Sequence, residues 1–261
     1  MEKILTQMFL AIVLLRFNLD KWYIQFIMTI KPHFTENNIY HVYNRGVEKR
    51  NIFLDRKDYL RMIHNLYEFN DEDPILNSGY YLSPKSIEVE PQYLKKEKKK
   101  RKLLVEILAF TLMPNHFHFI LQQKKENGIV KFMQKLGTGY AMYFNKKYKR
   151  VGGLFQGSYK AVLLENDAHF IYLPFYVHAN PLKIYRGLTS IDGMLDFLKD
   201  YRWSSFSDYI GIKNFPSITS RKFLLEFFGG SSEYLKEMKS FLKFKLENHE
   251  EIKDIAIDDK D

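Results

Sequence analysis

Cysteine is absent from all 261 residues of the chain. Disulfide frameworks and thiolate metal sites are therefore excluded, so any metal has to be bound by histidine, carboxylate, amide or water ligands. The absence of cysteine is also compatible with a reducing cytoplasm, and a cytoplasmic location is what we expect.

Apolar runs long enough to cross a bilayer are lacking as well. The run MFLAIVLL at 8–15 is too short to span a membrane, and it has neither the basic leader nor the cleavage site of a secretory signal. Another methionine, Met28, stands just before the globular pattern begins. We therefore expect residues 1–27 to be a non-native leader, with a peripheral helix packed on the domain as the alternative, and we expect no membrane partner.

The chain is basic, with 40 Lys and Arg against 31 Asp and Glu and a net charge of +9. This excess favours a polyanionic partner such as nucleic acid, although a membrane surface would fit the charge equally well. Hydrophobic residues make up 46% of the chain, which is enough to bury a core and excludes global disorder. Aromatic residues reach 16%; some could stack on bases, but most are expected to pack in the core.

Hydrophobic periodicity predicts an alternation of strands and helices. Strands are predicted at 39–43, 103–112, 116–122 and 157–164, and helices at 56–69, 129–148 and 168–179. This order favours an α+β, ferredoxin-like sandwich, in which a small antiparallel sheet has helices packed on one face. The main domain is expected to span 28–210, with a basic insertion at about 70–102 and a C-terminal helical appendage with an acidic tail at 211–261.

His116-Phe117-His118 is the most informative local pattern. Side chains two apart on a strand point to the same face, so both imidazoles project together and make half of a divalent-metal site. His-x-His pairs also occur often by chance, and the pair alone does not establish a site.

Tyr176 and Asn180 stand four residues apart near the end of a predicted helix and therefore share a helical face. If that face covers the sheet, Asn180 can give an amide oxygen to a metal while Tyr176 presents its phenol. The ordinary explanations are a half-buried helix tyrosine and a helix-ending asparagine before Pro181. Spacing alone favours these ordinary explanations.

Five ordered blocks change this balance, because together they resemble the REP-associated tyrosine transposases of the IS200-like kind. That group is the single-tyrosine branch of the His-hydrophobe-His endonucleases. The blocks lie between about residues 34 and 210, and they are YHVYNRG at 40–46, MPNHFH at 113–118, GLFQGSYK at 153–160, YVHANP at 176–181 and YRWSS at 201–205.

The resemblance implies a role for each matching residue. His116 and His118 correspond to the paired metal ligands, Asn180 to an amide ligand and Tyr176 to the nucleophile, with Tyr140 as the second choice. It further implies Mg²⁺ or Mn²⁺ as cofactor, and cleavage of single-stranded DNA carrying a hairpin or palindromic repeat through a 5′-phosphotyrosine intermediate. The protein would act as a monomer or a homodimer. One departure is Phe175, which stands where a basic phosphate contact would be expected.

Basic side chains near the motif blocks are the candidate DNA contacts: Arg45, Lys49, Arg50, Lys160, Arg186 and Arg202. Two other functions stay open, a catalytically silent protein that binds palindromic repeats and a metal-dependent hydrolase of small phosphoesters. The observation with most weight is the separation of Tyr176 from the histidine pair. A separation beyond about one helix diameter, about 10–12 Å, would argue against an assembled site.

Overall fold

The computed structural model describes residues 32–73, 101–164, 167–185 and 190–247. Four sequence predictions fall outside these ranges: the leader at 1–27, most of the basic insertion, the candidate DNA contact Arg186, and the acidic tail after residue 247. The two ends of the insertion are described, and they lie side by side, since the amide of Glu72 donates to the carbonyl of Lys102 at 2.9 Å.

Four strands form one antiparallel sheet in the order β2-β3-β1-β4. They are β1 (Ile39–Arg45), β2 (Val105–Met113), β3 (His116–Gln123) and β4 (Lys160–Leu163). Because β3 lies between β1 and β2, and β1 lies between β3 and β4, the chain makes two split β-α-β units. The predicted α+β, ferredoxin-like sandwich is therefore confirmed.

Seven α-helices surround this sheet in the part of the chain that the structure describes. They are α1 (Arg56–Glu68), α2 (Gly128–Lys147), α3 (Asp167–Ala179), α4 (Ile191–Asp200), α5 (Phe206–Tyr209), α6 (Lys222–Phe228) and α7 (Ser231–Glu247). Short 3-10 turns span Val47–Lys49 and Asn180–Lys183. Within the described ranges, no helix combines the length and the apolar character needed to cross a membrane.

One face of the sheet packs against α1 and α2. Alternate residues of β1 and β3 supply its aromatic and aliphatic side chains, including Tyr40, Val42, Phe117 and Phe119, which are all buried. This alternation follows from strand geometry, because the intervening residues must then point to the other face. His116 and His118 occupy the alternate positions of β3, which point to the other face of the sheet.

Helices also cover the second face, so the prediction of a single covered face was wrong. The residues of α3 are apolar on all sides rather than along one stripe, and such a helix has to be buried all round. It lies between the sheet and the C-terminal helices, where Phe175 packs on Phe228, Tyr234 and Phe241. The described part of the C-terminal appendage therefore shares a core with α3.

His64 on α1 makes the stability of the fold sensitive to acid. Burial, and secondly the charge of Arg61, lowers the pKa of His64 from 6.5 to about 4. The folded protein thus keeps His64 neutral while the unfolded chain takes up a proton below pH 6.5, so stability is full above pH 6.5 and is lost as the pH falls toward 4. We expect His64 to cost about 2 kcal/mol of stability between pH 7.5 and pH 5. Urea denaturation of wild type and His64→Phe at both pH values measures this, and an unchanged pH dependence in the variant would contradict it.

Candidate metal and tyrosine site

Polar side chains cross the second sheet face in a row defined by strand register. Lys160 of β4 pairs with Tyr43 of β1, Tyr43 pairs with His118 of β3, and His118 pairs with Thr111 of β2. Directly paired residues project to the same face, so these four side chains are neighbours. His116 lies in the next row.

The two imidazoles of the predicted pair lie close together. The ring centroids of His116 and His118 are 5.0 Å apart and the rings are nearly perpendicular, at 89°. Nδ1 of His116 is 2.6 Å from Oδ1 of Asn115, and Nδ1 of His118 is 2.9 Å from Nε2 of His41. Nε2 is the nitrogen that each ring could offer to a metal, provided that Nδ1 carries the ring proton and donates in its contact.

Tyr176 lies against His118, one member of this pair, because α3 crosses the same sheet face. Its ring centroid is 5.7 Å from that of His118 and 6.2 Å from that of His41, with both pairs edge-on. These separations are well inside the about 10–12 Å that would argue against an assembled site. The hydroxyl of Thr111 donates to the carbonyl of Val177 at 2.7 Å and so ties α3 to β2 beside the site.

Asn180 begins the 3-10 turn that follows α3 and is completely buried. Its Nδ2 donates to the carbonyl of Tyr176 at 2.9 Å, while its buried Oδ1 accepts no hydrogen bond from any described residue. A buried oxygen of this kind costs about 1–3 kcal/mol unless it binds something. The Asn180 amide is therefore an available oxygen ligand one turn after Tyr176.

The donor set is compatible with a divalent cation that also binds substrate. Among the described residues, no group of three or more His, Cys, Asp or Glu is arranged to hold a metal. If His116, His118 and the amide oxygen of Asn180 bound one cation, coordination positions would remain for phosphate oxygens or water. The amide, phosphate and water oxygens suit Mg²⁺ and Mn²⁺, whereas the two imidazoles also suit metals such as Zn²⁺ and Ni²⁺.

His178 fixes the other side of α3. Its two ring nitrogens lie 2.7 Å from the hydroxyl of Tyr234 on α7 and 2.7 Å from the hydroxyl of Ser205. Burial lowers the pKa of His178 to about 3, so the ring is neutral at pH 7. The helix that carries Tyr176 is thus bonded to the C-terminal helices on one side and to the sheet on the other.

Position 175 carries no cation, but a lysine from the following turn lies near the Tyr176 ring. Phe175 points into the core between α3 and the C-terminal helices, where a charged side chain would be costly. Lys183, at the end of the 3-10 turn, has its Nζ 5.4 Å from the centroid of the Tyr176 ring. The 3-10 turn that begins at Asn180 therefore places the ammonium group of Lys183 near the ring of Tyr176.

Tyr140, the second-choice nucleophile, is not brought to the histidine pair. It lies in the core on the α1 and α2 side of the sheet, is completely buried, and donates its hydroxyl to the carbonyl of Ile52. Burial raises the pKa of Tyr140 well above its usual value. The geometry favours Tyr176 over Tyr140.

The candidate DNA contacts are divided among several places. Arg45 pairs with His116 and Lys160 pairs with Tyr43, so both lie at the site, whereas Lys49 and Arg50 are on the turn that follows β1. Arg202 instead packs its guanidinium over the ring of Phe215, 5.1 Å from the centroid, away from the histidine pair. Burial, together with the charge of Arg56, lowers the pKa of Arg202. Arg186 is outside the described residues.

Sequence reasoning missed His41 and Tyr43 as members of the site. Both lie within the first motif block. They are two residues apart on β1, so strand geometry predicts that their side chains share one face, as it does for the histidine pair. Applying the strand rule to β1 would have placed them on one face together. Nothing in the sequence pattern indicated Lys183, because it lies beyond Pro181, where helical spacing no longer applies.

One family model covers the three central motif blocks, as far as Asn180. The model of the family described as "Transposase IS200 like" matches residues 85–180, which include His116, His118, Tyr176 and Asn180. A solved structure of a REP-associated tyrosine transposase bound to a REP hairpin is 12% identical, with a TM-score of 0.46, and the match covers 73% of this chain and 90% of that one. No curated protein matches the sequence. The predicted resemblance to the IS200-like transposases is thus confirmed over residues 85–180.

Proposed function

We propose that this protein is a metal-dependent single-stranded DNA endonuclease and strand transferase that cleaves hairpin-associated DNA through Tyr176. The observation that carries the proposal is the position of the Tyr176 ring, 5.7 Å from the ring of His118. Asn180, with its unbonded buried oxygen, lies one turn away on the same side. The preference for hairpins comes from the motif resemblance.

Each residue of the site has a part in cleavage. The phenol oxygen of Tyr176 attacks the scissile phosphorus and loses its proton, while the bond to the 3′ oxygen breaks and that oxygen takes up a proton. The products are a 5′-phosphotyrosine and a free 3′-hydroxyl. His116, His118 and Asn180 would hold Mg²⁺ or Mn²⁺, which would polarise the phosphate and ease loss of the 3′ oxygen.

Strand transfer uses the bond between Tyr176 and the 5′ phosphate. A phosphotyrosine keeps the energy of the phosphodiester, so a second 3′-hydroxyl can attack it, form a new phosphodiester and release Tyr176. No nucleotide cofactor is required. Lys183 lies over the Tyr176 ring, where its positive charge would attract the phosphate of a bound strand.

Lys160 is expected to contact a phosphate of the bound strand, because it is exposed at the sheet edge beside Tyr43. Lys160→Gln should weaken binding of a hairpin-bearing single strand by about 3–10-fold at 50 mM salt and reduce the salt slope by about one. Fluorescence anisotropy in EDTA measures binding without cleavage. Lys222→Gln, on the far helix α6 and also exposed, is the matched control. Equal affinities for the two variants would remove Lys160 from the interface.

Covalent capture tests the proposed function. We expect wild-type protein with Mn²⁺ and a hairpin-bearing single strand to give a protein–DNA band that survives denaturation and disappears after protease treatment. Tight binding with no such adduct on a range of hairpin strands would instead indicate a catalytically silent DNA-binding protein. Turnover of a small phosphoester in the absence of DNA would indicate the hydrolase alternative.

A further inference from the structure

His41 is a buried imidazole that the cleavage scheme above does not use. It projects from β1 toward α3 among the aromatic rings of the site. Its ring stacks on that of His118, with centroids 5.1 Å apart and planes 14° apart, and on that of Tyr43 at 5.0 Å. It also meets the ring of Tyr176 edge-on. Packing on three sides therefore fixes where its nitrogens point.

The contact between His41 and His118 allows two proton arrangements. Nε2 of His41 lies 2.9 Å from Nδ1 of His118, and both residues are buried. If His118 donates, its Nε2 keeps a lone pair and can bind a metal. If His41 donates, the proton of neutral His118 sits on Nε2, and that nitrogen cannot bind a metal.

We propose that His41 is the positioning residue of the metal site: its Nε2 accepts the Nδ1 proton of His118 and so directs Nε2 of His118 toward the metal. The inference rests on the proposed function, because it assumes that His118 binds a metal. Metal-binding histidines commonly donate their second ring proton to such an acceptor, which fixes both tautomer and ring rotation. His41 is well suited to this role because stacking also holds its ring.

Asn115 contacts Nδ1 of His116, the other proposed metal ligand, much as His41 contacts Nδ1 of His118. Its Nδ2 donates to the carbonyl of Lys49 at 3.2 Å, which identifies the other amide atom as oxygen. That oxygen can only accept, so Nδ1 of His116 must be the donor in the 2.6 Å contact. Both metal ligands would then carry their protons on Nδ1 and present Nε2.

Ring nitrogen NMR and metal titration test the role of His41. In wild type we expect the ¹⁵N shifts of His118 to report a protonated Nδ1, both without metal and with Mg²⁺. His41→Phe keeps a ring in the stack but removes the acceptor, and we expect it to weaken Mn²⁺ binding, measured by loss of the free-ion EPR signal, by about 10–100-fold. His41→Gln, which keeps an acceptor, should recover most of this affinity. His64→Phe, a buried histidine on the opposite side of the sheet, is the control.

The outcomes separate this inference from the proposed function. If His118→Ala leaves Mn²⁺ binding unchanged, the metal site itself is refuted and the role of His41 falls with it. If His118→Ala abolishes Mn²⁺ binding but His41→Phe binds as tightly as wild type, only the role of His41 is refuted. A wild-type His118 protonated on Nε2 in Mg²⁺ would refute it too, and this measurement does not depend on any variant folding.

Discussion

Tyr176→Phe is expected to abolish the covalent protein–DNA adduct, with a loss of at least about 1,000-fold. The substitution removes only the attacking oxygen. The ring that packs edge-on against His118 and His41 stays in place, so the fold and DNA binding should persist. Denaturing gels with a hairpin strand labelled at its 3′ end, on the fragment that stays joined to the tyrosine, measure the adduct in Mn²⁺, and anisotropy in EDTA measures binding.

Two matched hydroxyl deletions show whether this loss is specific. Tyr140→Phe removes the bond to the carbonyl of Ile52 and should cost about 0.5–1.5 kcal/mol of stability while leaving the adduct intact. Tyr172→Phe alters the tyrosine one turn before Tyr176, whose ring centroid is 6.2 Å away. An adduct that persists in Tyr176→Phe but disappears in Tyr172→Phe would transfer the nucleophile assignment to Tyr172 and leave the reaction class intact.

His116→Ala should abolish Mn²⁺-dependent cleavage by a comparable factor, about 1,000-fold or more, as should removal of the metal with EDTA from the wild type. His116 is only partly buried at the start of β3, so its loss should affect folding less than loss of the fully buried His118. Hairpin binding should stay within about threefold of wild type, because the proposed phosphate contacts by Arg45 and Lys160 do not require the imidazole. Single-turnover cleavage, with binding measured in parallel, provides the two readouts.

The control for His116→Ala is again His64→Phe, which also removes one histidine but far from the site. Its cleavage rate at pH 7.5 should match that of the wild type. Cleavage by His116→Ala at the wild-type rate in Mn²⁺ would contradict the assignment of His116 as a metal ligand. Rescue of the variant by a large excess of Mn²⁺ would agree with weakened metal binding rather than with a damaged fold.

The fold arranges the site by two independent routes. The histidine pair is placed by the pleat of β3, a rigid central strand hydrogen-bonded on both sides. Tyr176 and Asn180 are placed by α3, which is held to β2 by Thr111 and to α7 by His178. Substitutions at His178 or Tyr234 would therefore act on the tyrosine without altering the spacing of the histidine pair.

Local sequence patterns were sufficient for most elements and for the candidate residues. Alternating hydrophobic residues identified β1, β2 and β3 to within two residues at each end, and helical spacing identified α1 and α2. The same-face rule predicted that His116 and His118 project together, because it depends only on the geometry of one strand. The i, i+4 rule likewise predicted that Tyr176 and Asn180 share a side of one helix.

Only the tertiary structure decided what lies opposite these residues. Two contacts join segments that are distant in sequence: His41 stacks on His118, and Phe175 packs against α7. A third contact, between Lys183 and Tyr176, depends on the turn after α3. Short-range periodicity carries no information about such contacts, since they depend on strand order and helix packing. By itself the sequence determined which elements form and which residues can carry chemistry. The sheet order and the burial of α3 between the sheet and α7 decided that the tyrosine and the histidine pair meet.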